Sequence, residues 1–285
     1  MSTLFKIAAI QMNARVHDIA GNLELHRKFF VQAADAGCDL VVFPELSVTA
    51  HFGAPDVLDD AEGLDGNICR EMQELARRYK LICSFGMCER AKGTFFNSQV
   101  LMGPKGLLGV QRKTHPSGDE YLYFGRGNEL HVVDAGLAHL GTLVCYDSTF
   151  PETWRVLGLK GADIILMPHA SRSGRGTELP REKQLENLRA LLDSMPREQA
   201  AHCKANAVFA VFCNQWGYNG HSTHEGGAWI LSPRGRILAR GDEALGDTMI
   251  VAEIDLADAE QARRSSHCTL RTRRPEIYGV ITELQ

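Results

Sequence analysis

The sequence predicts an α/β layered fold, and two observations carry that prediction. From Phe5 to Met87, short apolar segments of strand character alternate with longer segments of helical spacing, the order of a layered α/β protein. Beyond residue 97 the alternation gives way to pairs of apolar stretches joined by turns containing Gly or Pro, which read as hairpins. Hairpins mixed with βαβ units point to a mixed sheet, or two sheets, rather than one parallel sheet.

Taken in order, Phe5–Met12 is a strand with an apolar bias. Gly21–Ala36 is an amphipathic helix with Leu23, Phe30, Ala33 and Ala34 on or near one face. Leu40–Phe43 is a short apolar strand ended by Pro44. Glu62–Lys80 has helical spacing through Ile68, Met72, Leu75 and Tyr79, and Leu81–Met87 is the next strand. Asn97–Lys113 folds back at Gly103-Pro104-Lys105-Gly106. Leu130–Val133 and His139–Val144 flank the turn Asp134-Ala135-Gly136.

After Cys145, Pro151 suits the first turn of a helix, with Ser148 or Thr149 as its cap. Ile164–Met167 is a buried strand ending in Pro168. The irregular segment Ser171–Pro180 precedes a polar helix from Glu182 to about Asp193, broken by Pro196. Gly226–Leu231 and Ile237–Ala239 join across Ser232-Pro233-Arg234-Gly235. Met249–Ile254 is a last strand and Leu256–Arg264 a helix. No repeat, low-complexity tract or linker interrupts the chain. The expectation is one domain, 1–285, with an irregular insertion around 171–195.

Bulk properties narrow the function. Over 285 residues, 44% hydrophobic and 23% charged content are ordinary for a globular core. A net charge of −4 gives no footprint for nucleic acid or an anionic membrane. No apolar run is long enough to span a bilayer, and the N-terminus lacks the pattern of a secretory leader. Cysteines 38, 69, 83, 88, 145, 203, 213 and 268 form no CxxC pair and no zinc-ribbon spacing. Reduced thiols in a cytoplasmic protein, with neither nucleic-acid nor membrane partners, are therefore expected.

Most free cysteines pack as small buried hydrophobes. Cys145 differs because the apolar run Leu140–Val144 ends on it and the chain then turns toward a helix. Such a side chain stands at the carboxyl edge of a sheet, where open α/β sheets bind ligands. Helix-start N–H groups there favour a thiolate and a neighbouring oxyanion. Two other strand ends carry ionisable groups: Glu45 just past Val41–Phe43, and Lys113 at the end of a hairpin arm. Either alone reads as a solvated charge. Together with Cys145 they supply what acyl transfer needs, namely a nucleophile, a proton carrier and an oxyanion clamp. Glu45 is the better proton carrier, while Lys113 and the Tyr146 N–H suit the oxyanion. His115, His169 and His202 stay open as conventional histidine partners.

The series FPEL at 43–46, RKTHP at 112–116 and CYDSTFPE at 145–152 resembles the nitrilase superfamily of carbon–nitrogen hydrolases, in its amidase and carbamoylase branches. Glu120 to Gly127 fits the family's E-x-x-Y-F-x-x-G. Gly161–Ile165 with Pro168, Asn214, and Ser232–Gly235 add support, so the likeness runs from Lys6 to about Ile254. The resemblance implies a four-layer αββα sandwich with two mixed β-sheets. It assigns Cys145 as nucleophile, Glu45 as general base and acid, Lys113 as oxyanion cation, and Glu120 as a second glutamate supporting them. It further implies a thioester intermediate, no metal or other cofactor, and a homodimer or higher homo-oligomer.

Tyr146-Asp147 after the nucleophile is similar to the amidase-type branches, so hydrolysis of a small amide or N-carbamoyl compound is expected ahead of nitrile hydrolysis or acyl transfer. The intact Glu45, Lys113, Cys145 and Glu120 argue against a catalytically silent binding subunit. The absence of GxGxxG and P-loop patterns argues against a nucleotide-binding protein. There are departures from the family. His202–Asn206 keeps only the asparagine of the usual R-A-x-E-N, and His169-Ala170-Ser171 replaces a smaller step. That loop follows a strand whose end faces the pocket, so specificity is expected in His169 and Ser171; Arg172 and Arg175 are further candidates, each read first as part of a plain solvated loop.

Overall fold

A computed structural model of the chain describes residues 3–50 and 55–283. Its first half holds β1 (Leu4–Gln11), α1 (Ile19–Asp35), β2 (Leu40–Val42), α2 (Asn67–Tyr79), β3 (Ile82–Ala91), β4 (Thr94–Gly103) and β5 (Gly106–Arg112). The Asp18 carboxylate starts α1 by accepting the Gly21 N–H at 2.9 Å, a side-chain cap. One hairpin escaped the sequence reading, because β3 runs past Met87 and turns at Lys92-Gly93 into β4. Both turn residues have positive φ, 49° and 77°, as tight hairpin turns demand.

The second half continues with β6 (Val132–Asp134), β7 (His139–Thr142), α3 (Pro151–Leu159), β8 (Ile164–His169), β9 (Arg172–Gly174) and α4 (Arg181–Asn206). Then come β10 (Phe209–Asn214), β11 (Trp216–Tyr218), β12 (Thr223–Glu225), β13 (Ala228–Leu231), β14 (Ile237–Arg240), β15 (Thr248–Asp255) and α5 (Ala257–Arg264).

Two six-stranded sheets share one design. The first has the order β15-β1-β2-β3-β4-β5 and the second β14-β13-β10-β8-β7-β6. In each, three central strands are parallel and the flanking strands antiparallel. A small third sheet, β11-β12-β9, follows directly on the carboxyl ends of β8 and β10.

The period-2 alternation of each strand sorts its side chains into layers. Phe5, Ile7 and Ala9 of β1 join Leu140, Ile164, Leu166, Phe209 and Val211 in a core between the sheets. Ala8 and Ile10 point the other way, into a cluster with Phe29 and Phe30 of α1 and Ile68 and Met72 of α2. On the far side, Ile165, Met167, Ala210 and Phe212 pack against Trp154 and Leu157 of α3 and Leu188 and Leu192 of α4. The layers are therefore helix, sheet, sheet, helix, the expected αββα sandwich.

Two local expectations are corrected. Helix α4 is not broken at Pro196 but runs through it for 26 residues. Proline removes the N–H that would satisfy the carbonyl of Leu192, and Arg240 Nη1 stands 3.4 Å from that oxygen instead. Nor do Ser148 and Thr149 cap α3. Its cap position is Phe150, with no side-chain bond, while those two hydroxyls donate to the carbonyls of Cys145 and Tyr146 at 2.7 and 2.8 Å.

Candidate active site

The nucleophile candidate sits in a strained turn. Strand β7 ends at Thr142, Leu143 still bonds across to Leu166 at 2.9 Å, and a 3₁₀ turn, Cys145–Thr149, intervenes before α3. Cys145 itself has φ +50°, a left-handed conformation that L-residues visit rarely and that concentrates at functional sites. All eight cysteines are free thiols; seven are buried and Cys145 alone is only partly buried.

Glu45 leaves β2 through another tight turn, with Leu46 at φ +47°. The turn presses on β3 so closely that a Cβ on Gly86 would lie 2.1 Å from Leu46 N. Only glycine fits there. Lys113 closes β5, its N–H bonded to Asn97 O at 2.8 Å. Glu120 stands in a 3₁₀ turn, Gly118–Leu122, held from behind by Ser117, whose N–H and hydroxyl donate to Oε2 at 2.6 and 3.2 Å.

These groups meet in one buried cluster. Lys113 Nζ lies 2.7 Å from Glu45 Oε1 and 2.8 Å from Glu120 Oε2. The Ala170 N–H donates to Glu45 Oε2 at 2.8 Å and also reaches the Cys145 sulfur. Burial works to lower the Lys113 pKa, yet the negative charges of Glu45 and Glu120 hold it well above the ordinary lysine value. Burial, and then the Glu45 carboxylate, push the Cys145 thiol up, and the Lys113 charge opposes them. At rest the arrangement therefore keeps a neutral thiol beside a charged ammonium and two carboxylates. Such a set can pass a proton from sulfur to carboxylate as the sulfur attacks.

None of the three candidate histidines is the thiol's partner. His115 Nδ1 sits 2.8 Å from Asp147 Oδ1. His202 stacks on Trp154 at 5.1 Å. His169 is 3% exposed, between Ser148 Oγ and Ser171 Oγ, each at 3.1 Å. Because the Ser148 hydroxyl donates to Cys145 O, it accepts from His169 Nε2–H, and Nδ1 accepts from Ser171. Burial holds His169 neutral, with its pKa lowered to about 4. This relay ends on the carbonyl of the strained cysteine. Ser171 and Arg172 are half-buried and Arg175 is exposed. Arg175 reaches over the Glu120 turn to within 3.9 Å of Asp119.

Two neighbours of the cluster make contacts that the sequence did not announce, Asn97 unread and Asp147 read only with Tyr146 after the cysteine. Asn97 Nδ2 approaches Glu45 Oε1 at 2.7 Å and Glu120 Oε1 at 3.3 Å, tying the two carboxylates together. Its signal was the polar run Asn97-Ser98-Gln99 inside an otherwise apolar strand. Asp147 is fully buried and accepts from Thr114 Oγ1 at 2.7 Å and from the His115 N–H at 2.8 Å. It thus clamps the segment after Lys113 onto the cysteine turn. Among the described residues no group of three or more His, Cys, Asp or Glu is arranged to hold a metal ion. No helix there is long and apolar enough to cross a membrane.

The sequence pattern of the carbon–nitrogen hydrolases matches residues 6–264. The chain is a carbon–nitrogen hydrolase. An (R)-stereoselective amidase from Pseudomonas sp. is 30% identical to this hydrolase over 98% of the chain and 94% of its own length. A citrullinase from Francisella tularensis is 29% identical over 97% of each chain. The crystal structure of a carbon–nitrogen hydrolase from Helicobacter pylori G27 superposes on the hydrolase with a TM-score of 0.84. It covers 99% of both chains at 24% identity, which establishes the shared fold.

Proposed function

We propose that this hydrolase cleaves the C–N bond of a small amide or N-carbamoyl compound through a thioester on Cys145. The observation that carries the reading is the buried bridge from Glu45 through Lys113 to Glu120, set against the Cys145 sulfur. The sulfur attacks the carbonyl carbon while its proton passes to Glu45. Protonating Glu45 removes one of the two negative charges facing Lys113, so the ammonium becomes available to the new oxyanion. The Tyr146 N–H, next in the same 3₁₀ turn, is the second oxyanion donor.

Collapse of the tetrahedral intermediate breaks the C–N bond, and Glu45 returns the proton to the departing nitrogen. Water then attacks the thioester with Glu45 as base, the C–S bond breaks and the thiol regains its proton. Glu120 and Asn97 hold Lys113 and Glu45 in place throughout. His169 and Ser171 border the substrate from the side of β8, with His169 acting through the Ser148 relay. The amidase and citrullinase relatives support cleavage of amide and ureido bonds.

The test is mass spectrometry of enzyme quenched during turnover of a small amide. An acyl mass is expected on the peptide containing Cys145 of the wild-type enzyme. Cys145→Ala should release no ammonia, whereas Cys83→Ala should retain turnover. An adduct confined to another cysteine would overturn the assignment.

A further inference from the structure

The mouth of the site carries an unspent cation. Arg172 lies two residues beyond Ala170, whose N–H holds Glu45. With about 3.3 Å of chain per extended residue, its backbone stands roughly 7 Å from that contact. Across β9 and β12 it pairs with His224, and directly opposed residues share a face of the ladder. His224 Nδ1 meets Ala170 O at 3.1 Å, which keeps this pair beside the residue whose N–H holds Glu45.

Arg172 is half-buried, yet among the described residues it forms neither an ion pair nor a side-chain hydrogen bond. Two other partly buried arginines are paired, Arg112 with Glu89 at 2.5 Å and Arg263 with Asp163 at 2.8 Å. Leaving a guanidinium partly desolvated and unpaired is costly. A second group is also unsatisfied. The Tyr123 hydroxyl, just past the Glu120 turn, is buried without a hydrogen-bond partner. Burial chiefly raises its pKa, to about 12, with the Glu120 carboxylate adding to that, while the charge of Arg172 acts to lower it.

We infer that Arg172 and Tyr123 form a carboxylate subsite, so that the substrate is an amide or ureido compound carrying a carboxylate a short carbon chain away from the scissile carbonyl. The guanidinium offers a planar pair of donors matched to carboxylate oxygens, and the phenol adds a third. This inference rests on the amidase reading above and names the substrate class for the same site.

The experiment compares kcat/KM for matched pairs: succinamate against butyramide, and N-carbamoyl-β-alanine against propylurea. The acidic member should be favoured at least about tenfold, the usual worth of a charge-assisted hydrogen bond. Arg172→Gln should collapse that ratio toward one, chiefly through KM, and Tyr123→Phe should lower it part-way. If Arg172→Gln does not fold, the wild-type preference read against rising salt decides, since a charge-based preference must shrink. Equal or better turnover of the neutral members, a ratio indifferent to Arg172→Gln in a folded variant, or a preference indifferent to salt would overturn the subsite. Failure of the amidase reading looks different: no ammonia from either member and no acyl mass on Cys145.

Discussion

Lys113 Nζ and Glu45 Oε1 meet at 2.7 Å with both side chains 1% exposed, and Glu120 completes a buried trio of two carboxylates and one ammonium. Removing one member of a buried ion pair strands the others, at a cost of about 3–5 kcal/mol. Lys113→Met should therefore abolish turnover and also lower the denaturant midpoint sharply. Adding Glu45→Gln and Glu120→Gln to it should recover much of the lost stability and none of the activity. Urea melts of the single and triple variants check this. A triple variant no more stable than Lys113→Met would show that the buried charge is not what destabilises.

Asp147 connects the lysine segment to the cysteine turn through Thr114 and His115, and it touches no reacting atom. Asp147→Asn keeps the shape but not the charge, and it swaps one acceptor for a donor facing the Thr114 and His115 N–H groups. Misplacing catalytic groups by about 1 Å costs on the order of 100-fold. The expected result is a fall of that size in kcat with KM changed far less. A steady-state comparison with wild type measures it, and a loss confined to KM would contradict the positioning role.

Glu45 and Cys145 were legible because each comes just after a buried apolar strand, so the turn from apolar to ionisable marks the sheet edge, whereas Lys113 ends a half-exposed hairpin arm and stood out through the RKTHP series. Asn97 was harder, since it lies inside β4 and its partners come from two other segments. Asp147 stood out only as part of the Tyr146-Asp147 step, and its clamping contacts were not readable because they come from residues more than thirty positions upstream. The layers were readable from period-2 alternation in β1, whereas the β3–β4 hairpin was lost because Lys92-Gly93 was not weighed as a turn. Pro196 misled for a physical reason: its compensation, Arg240, comes from a distant strand that no local pattern announces.

Two buried histidines give stability a pH slope. Burial lowers both His26 and His169 from 6.5 to about 4. Between those values the unfolded chain binds protons that the folded chain does not, so stability rises with pH from about 4 to 6.5 and falls on acidification. Each site contributes on the order of 3 kcal/mol across that window. His169→Gln should flatten the wild-type slope by removing its own share, read as urea midpoints at several pH values. An unchanged slope would mean that His169 is not held neutral.

Proline at 196 sits within a helix at a position where alanine would restore the bond to Leu192 O. An interior proline costs about 3 kcal/mol relative to alanine. Here Arg240 offsets part of that, and the buried ring contributes packing. Pro196→Ala should thus stabilise by about 1–2 kcal/mol, leaving kcat and KM alone because α4 packs on the outer face of the second sheet. Arg240→Ala should destabilise wild type by more than it destabilises Pro196→Ala, since only proline leaves the carbonyl needing a partner. Thermal melts of the four proteins close the cycle, and equal effects of Arg240→Ala in both backgrounds would show that the guanidinium does not serve that oxygen.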